Sequence, residues 1–200
     1  MTNGPDEAFS EPTYPLTTAR LVLRPLAAGD LDHHHRLFSD PRVVRYLYDS
    51  LMSREEAAAS LERRVGSAFP AEGEWRNLAV EFDGEFVGEV GLCRTSIVHR
   101  QGEVGYVFDP RWSGRGLATE ATARMVSFGF DALGLHRIAG RLDARNRASA
   151  RVLERLGFRR EATCVENEFV KGEWTDEIVY AVLEGEWSVE GASARSRHDT

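Results

Sequence analysis

Cysteine, long apolar runs and surplus positive charge are all scarce in this sequence. Two cysteines, Cys93 and Cys164, stand among 200 residues. They cannot make a disulfide framework or a zinc set, and a reducing, cytosolic setting is expected. No stretch approaches the ~18 consecutive apolar residues of a membrane span, so no membrane partner is expected. The first 15 residues carry Asp6, Glu7 and Glu11 without an apolar segment, which argues against a secretory leader. Acids outnumber bases, 32 to 25, for a net charge of −7. A nucleic-acid binder normally shows a basic footprint, so that class is excluded as well. No Gly-Lys-Ser/Thr is present, and a nucleoside-triphosphate P-loop is ruled out with it. The run His33-His34-His35 lies in a helical pattern, where adjacent side chains point apart, so no metal is expected.

What is present suits one folded domain. The composition is 42% hydrophobic, enough at this length for one sizeable core. Residues 1–15 hold Gly4, Pro5, Pro12 and Pro15 and few aliphatics, and residues 188–200 are similarly polar. Both are expected to be disordered tails, leaving 16–187 as the domain. Within it, strands are predicted at 21–23, 75–82, 86–93, 103–108, 138–143, 162–170 and 178–183. Helices are predicted at 30–39, 53–68, 117–132 and 147–156, the second opened by a Ser53/Glu56 capping box and the last by Asn146. Val152 and Leu156 are expected to face the core. Asp83-Gly84 and Lys171-Gly172 mark turns. An antiparallel run leading into a strand–helix–strand crossover predicts a mixed α/β fold, with helices on both faces of a central sheet.

Charge is placed unevenly. Eight arginines fall between Arg137 and Arg160. Nine acids and a single lysine, Lys171, fall between Glu161 and Glu190. This would suit an anionic ligand beside a cationic one, or equally the solvated faces of a helix and a hairpin.

The most informative stretch is Phe108-Asp-Pro-Arg-Trp-Ser-Gly-Arg-Gly-Leu-Ala-Thr119. A strand ends, a glycine-rich turn follows and a helix begins. The first N–H groups of a helix lack internal partners and point outward with partial positive charge. Glycines let an anion approach that backbone, which fits a phosphate or diphosphate. Arg111 and Arg115 could add charge-assisted bonds. Gly114 and Gly116 half-match a dinucleotide fingerprint, but the third glycine is missing and the turn starts too far past the strand.

Arg111-x-x-Gly114-x-Gly116 resembles the Gln/Arg-x-x-Gly-x-Gly/Ala loop of the GCN5-related N-acetyltransferases (GNAT). The fuller run Trp112–Ala121 is similar to the RimJ/RimL-type branch, the ribosomal-protein-alanine N-acetyltransferases. So are Thr18-Ala-Arg-Leu-Val-Leu-Arg-Pro25, Asn146-Arg-Ala-Ser149 and Leu153-Glu-Arg-Leu-Gly-Phe158. The resemblance implies a GNAT fold: a mostly antiparallel sheet splayed between two parallel strands. It implies acetyl-CoA as cosubstrate, held by Arg111, Ser113, Gly114, Arg115, Gly116, Leu117, Ala118 and Thr119. The pantetheine arm would lie along Tyr106, Val107, Phe108 and Asn146, with an N–H near Val107 or Phe108 facing the developing oxyanion.

The acceptor implied is a primary amine. A protein N-terminal α-amine comes first; an aminoglycoside or polyamine is the alternative, and a CoA-binding module without turnover is a further one. Alkyl ammonium groups titrate near ~10, so a base is needed. Glu168, in Asn167-Glu-Phe-Val-Lys-Gly-Glu-Trp-Thr-Asp176, matches the carboxylate of the RimL-like late hairpin and is the first choice. Glu103 is the second. Ser149 would donate to the leaving thiolate, since Leu153 stands where many relatives carry a tyrosine acid. A homodimer is expected by the same analogy.

Overall fold

Eight segments pair into a single sheet in the computed structural model, which describes residues 13–65 and 71–188. The strands are β1 (Leu16–Thr17), β2 (Leu21–Pro25), β3 (Trp75–Phe82), β4 (Glu85–Ser96), β5 (Gln101–Phe108), β6 (Arg137–Asp143), β7 (Arg159–Val170) and β8 (Glu173–Leu183). Their spatial order is β1-β2-β3-β4-β5-β6-β8-β7. Every neighbouring pair is antiparallel except β5 and β6. The helices are α1 (Leu31–Phe38), α2 (Pro41–Val44), α3 (Arg54–Arg64), α4 (Leu117–Asp131) and α5 (Arg147–Arg155). The predicted α/β class and GNAT-type sheet are present. Among the described residues, no helix is long and apolar enough to cross a membrane.

Local sequence accounts for most boundaries. Asp83 and Gly84 have φ of 51° and 78°, and Lys171 and Gly172 have 53° and 87°. Two consecutive left-handed residues make the primed turns that suit the strand twist. Ser53 Oγ accepts from the Glu56 N–H at 3.2 Å, while Glu56 Oε2 accepts from the Ser53 N–H at 2.8 Å. Helix α3 stops sooner than expected, because Val65 is extended; residues 66–68 of the expected helix lie outside the described residues. The single turn α2, capped by Asp40 and started by Pro41, was not read from periodicity. It is too short to show any.

Two apolar layers flank the sheet. Helices α4 and α5 bury Met125, Leu153 and Leu156 against Leu92 and Ile138 on one face. On the other, α1 and α3 bury Leu37, Phe38 and Leu61 against Ala79 and Phe86. Val152 and Leu156 pack on the core as expected, and they are joined there by the buried Leu153. Its methyl lies 2.7 Å from where a Cβ on Gly140 would be, so the bare strand position receives it. Tyr14, expected in a tail, packs on the first layer and its hydroxyl accepts from Arg76 Nε at 3.1 Å. Residues 1–12 and 189–200 lie outside the described residues.

Parallel pairing of β5 with β6 covers three positions only: Gln101 with Arg137, Gly102 with Ile138 and Glu103 with Ala139. Beyond Glu103, β5 continues along β4 to Phe108, while β6 continues along β8 to Asp143. The two strands therefore diverge, and a gap opens at Val104 and Gly140.

Candidate active site

A cavity of about 820 Å³ occupies that gap. Glu103, Tyr106 and Val107 of β5, Asn146 and Ser149 at the start of α5, and Glu168 of β7 all line it. All three predicted catalytic residues thus share one chamber, although they are scattered over the chain. The indole of Trp75 lies on the sheet at its edge. A Cβ on Gly105 would stand 3.1 Å from that ring, and one on Gly91 would stand 3.2 Å away. The bare Gly105 position leaves room for that ring.

The amide directions follow from the ladder. The Asp109 N–H donates to Val87 O at 3.0 Å. Antiparallel pairing alternates, so the N–H groups of Val107 and Gly105 also face β4. Those of Tyr106 and Phe108 face the gap. Of the two amides considered for the oxyanion, the Phe108 N–H is the one that points there. The Tyr106 hydroxyl donates to Ser149 O at 2.9 Å, and burial pushes its pKa above the ordinary tyrosine value. Asn146 caps α5 by accepting from the Ser149 N–H at 3.1 Å. Both backbone groups of Ser149 are thereby engaged, and its hydroxyl bonds none of the described residues.

The far wall is acidic. Glu103 and Glu177 share Arg141, whose Nε lies 3.5 Å from Glu103 Oε2 and whose Nη1 lies 2.8 Å from Glu177 Oε2. Burial raises the Glu103 carboxyl above the usual range; Arg141 opposes this and the Glu177 carboxylate adds to it. Asn167 Nδ2 donates to Glu168 Oε1 at 3.2 Å and to Glu177 Oε2 at 3.3 Å. The Tyr48 phenol feels the same field. Burial pushes its pKa up to about 12, with Glu168, Glu177 and Glu103 contributing and Arg141 opposing. Glu177, Arg141, Tyr48 and Trp75 were missed from sequence. Glu177 had a signal, because period-two alternation puts it on the face of Thr175, Val179 and Ala181. Tyr48 sits in an irregular segment and had none.

Lys171 braces the chamber: its Nζ donates to Val44 O at 2.5 Å and Leu47 O at 2.7 Å. This ties the β7–β8 turn to the segment carrying Tyr48. Below it, Glu89 accepts from Arg64 Nη1 at 2.8 Å and lies 2.5 Å from His34 Nδ1. His34 is fully buried and meets the chamber through Glu89 and through Phe38, whose ring centroid lies 4.6 Å from its own. Among the described residues, no group of three or more His, Cys, Asp or Glu could hold a metal ion.

Part of the uneven charge between residues 137 and 188 is internal pairing. Arg137 bonds Glu161, Arg141 bonds Glu177, Arg145 bonds Asp143 and Glu173, and Arg159 bonds Glu161 and Glu186. The sheet order that sets β6 beside β8 brings the basic and acidic runs together.

The glycine loop lies past the end of β5, outside the chamber wall. Neither Phe108 nor residues 111–119 line the cavity. Gly114 and Gly116 have φ of 80° and 74°, a conformation other residues adopt only with strain. Gly116 is the N-cap of α4, and no side chain caps that end. Leu117 and Thr119 point into the interior, at 2% and 8% exposure, so they offer backbone only. Arg111 was expected to face an anion. Its guanidinium pairs with Asp109, with Nη2 2.6 Å from Oδ2. Arg115 lies over the Trp112 ring at 4.8 Å, and Trp112 in turn abuts Phe82.

A diverging parallel pair, a carboxylate chamber and an uncapped helix end follow one another along the sheet. The family model for the acetyltransferase (GNAT) domain matches residues 20–159. The chain belongs to the GNAT acetyltransferase family. It is an N-acetyltransferase, and acetyl-CoA is its cosubstrate. YoaA of Bacillus subtilis, an uncharacterized N-acetyltransferase, is 30% identical over 84% of this chain and 96% of its own. The spermidine N(1)-acetyltransferase of Escherichia coli K12 is 29% identical over 84% of this chain and 88% of its own. Among solved structures, an acetyltransferase (GNAT family) from Bacillus anthracis superposes with a TM-score of 0.78 at 29% identity, covering 86% of this chain and 100% of that one. The acetyltransferase fits its cosubstrate in two respects. The first-turn amides of α4 are uncapped, and the Tyr106 and Phe108 amides face an open strand gap.

Proposed function

We propose that this enzyme acetylates a primary amine of a small polycation, and that the amine enters from the acidic side of the gap. The supporting observation is the convergence of Glu103, Glu168 and Glu177 on one chamber, where Arg141 pairs with Glu103 and Glu177. The similarity to a spermidine acetyltransferase points the same way. A protein N-terminal α-amine, which the RimJ/RimL-type motifs imply, is less well supported. The runs at 112–121 and 146–158 belong to the cosubstrate side and carry no information on the acceptor.

The α4 amides with Gly114 and Gly116 would hold the diphosphate of acetyl-CoA, and Tyr106, Val107 and Asn146 would line its arm. The amine nitrogen bonds to the acetyl carbon and the carbon–sulfur bond breaks. The Ser149 hydroxyl donates to the departing sulfur. Glu103 takes one proton from the ammonium before attack, and the proton that nitrogen sheds as the amide forms passes to the departing thiolate. The raised pKa of Glu103, its place at the vertex of the gap and its pairing with Arg141 suit that role. Glu168 instead holds a second ammonium of the substrate.

Thiol release from acetyl-CoA, measured with spermidine, a diamine and an N-terminal peptide, tests this. Turnover with the polyamine above the peptide, lost in Glu103→Gln with CoA affinity retained, is expected. Peptide-selective turnover would overturn the acceptor, and an unchanged Glu103→Gln would overturn the base.

A further inference from the structure

The stretch that leads into β2 grips the glycine loop from far away in the chain. Thr18 Oγ1 donates to Glu120 Oε1 at 2.6 Å, and the Arg20 N–H donates to the same oxygen at 3.1 Å. Arg20 Nε donates to Glu120 Oε2 at 2.7 Å, with Nη2 2.6 Å from that oxygen. The remaining arm, Nη1, donates to the carbonyl of Arg115 at 3.1 Å. The Leu21 N–H donates to Thr18 Oγ1 at 2.9 Å, which fixes the turn presenting these groups.

Glu120 stands in the first turn of α4. A carboxylate there is drawn to the same unpaired amides that an anionic ligand would use, and it repels that ligand. We propose that Arg20 is a positioning residue for acetyl-CoA, resting on the assignment of the loop to the diphosphate made above. Arg20 and Thr18 take both oxygens of Glu120, so its charge is neutralised and turned away from the helix end. By holding the Arg115 carbonyl, Arg20 also fixes the peptide between two left-handed glycines. The Arg20 side chain is 45% exposed, and an ion pair so exposed adds little to stability. Its concentration on one carboxylate and one loop carbonyl therefore has its consequence at the loop.

The experiment compares acetyl-CoA with acetylpantetheine, which lacks the diphosphate, in the full chain. Arg20→Ala should raise KM for acetyl-CoA about tenfold, the scale of a charge at a helix end, and change kcat by less than about twofold. KM for acetylpantetheine should not move. Adding Glu120→Gln to Arg20→Ala should recover most of the loss, because the repelling charge is gone. If Arg20→Ala leaves KM for acetyl-CoA unchanged while Gly116→Val raises it, the clamp is overturned and the loop assignment stands. If neither variant moves it, both fall. An equal rise for both cosubstrates, not recovered by Glu120→Gln, would mark a folding role and overturn the proposal.

Discussion

The two halves of this site are built in opposite ways. The loop half, from Phe108 to Glu120, is nearly contiguous, and it presents backbone to its ligand because Leu117 and Thr119 turn inward. The chamber half draws single side chains from β5, β6, β7 and β8, and presents carboxylates. A backbone site tolerates little change at its glycines but is indifferent to many side chains. A side-chain site has the reverse sensitivity. On the function proposed above, the cosubstrate common to the family meets the first kind of surface and the acceptor the second, where one substitution can alter specificity.

The largest break should come on the chamber side. Glu103→Gln is expected to lower kcat by about 10²–10⁴, the usual contribution of a general base, with CoA binding intact by calorimetry. The same variant should unfold at a higher temperature at neutral pH. A carboxyl whose native pKa is raised above its unfolded value favours folding below the unfolded pKa. It loses that contribution as pH rises through the native one, and glutamine has no such loss. A lower melting temperature would show that the Glu103 charge is well paired by Arg141.

On the loop side, Gly116→Val should raise KM for acetyl-CoA by about tenfold or more. A branched residue at φ 74° costs roughly 1–2 kcal/mol and shifts the first-turn amides. An unaffected KM would mean that the loop does not hold the cosubstrate.

Arg141→Ala sharpens the contrast within the chamber. Arg141 is the one group that lowers the Glu103 carboxyl, so its loss should move the acidic limb of the pH–rate profile to higher pH. A limb that stays fixed would assign it to another group. Smallest is Glu168→Gln, expected to raise KM for a polyamine about two- to fivefold, the worth of an exposed ion pair, and to leave KM for a monoamine alone. An equal effect on both amines would move Glu168 to the reacting nitrogen.

Legibility in the sequence follows the same division. The capping box at Ser53 and Glu56, the Asn146 cap and the turns at Asp83-Gly84 and Lys171-Gly172 occur where expected, because each is decided by bonds spanning a few residues. The glycine turn was legible for that reason too. The partner of Arg111 was not read: Asp109 lies two residues away and pairs with its guanidinium, which stays 58% exposed, and residue types alone do not reveal that pairing. The basic and acidic runs left ligand surfaces and solvated faces equally open; Arg137, Arg141, Arg145 and Arg159 pair with acids of the later run, while Glu168 and Glu177 also line the chamber, which only the sheet order reveals.

By itself the sequence determined most strands and helices with their caps and turns, and with them the uncapped amides of α4, since these are written in short-range bonds and periodicity; β1 and α2 are too short to show any period. Only the tertiary structure decided that Glu103, Arg141, Glu177 and Glu168 share one chamber. The strand order β5-β6-β8-β7 sets them side by side, and that order is chosen by the burial of α4 and α5 against the sheet, a long-range energy no local pattern contains.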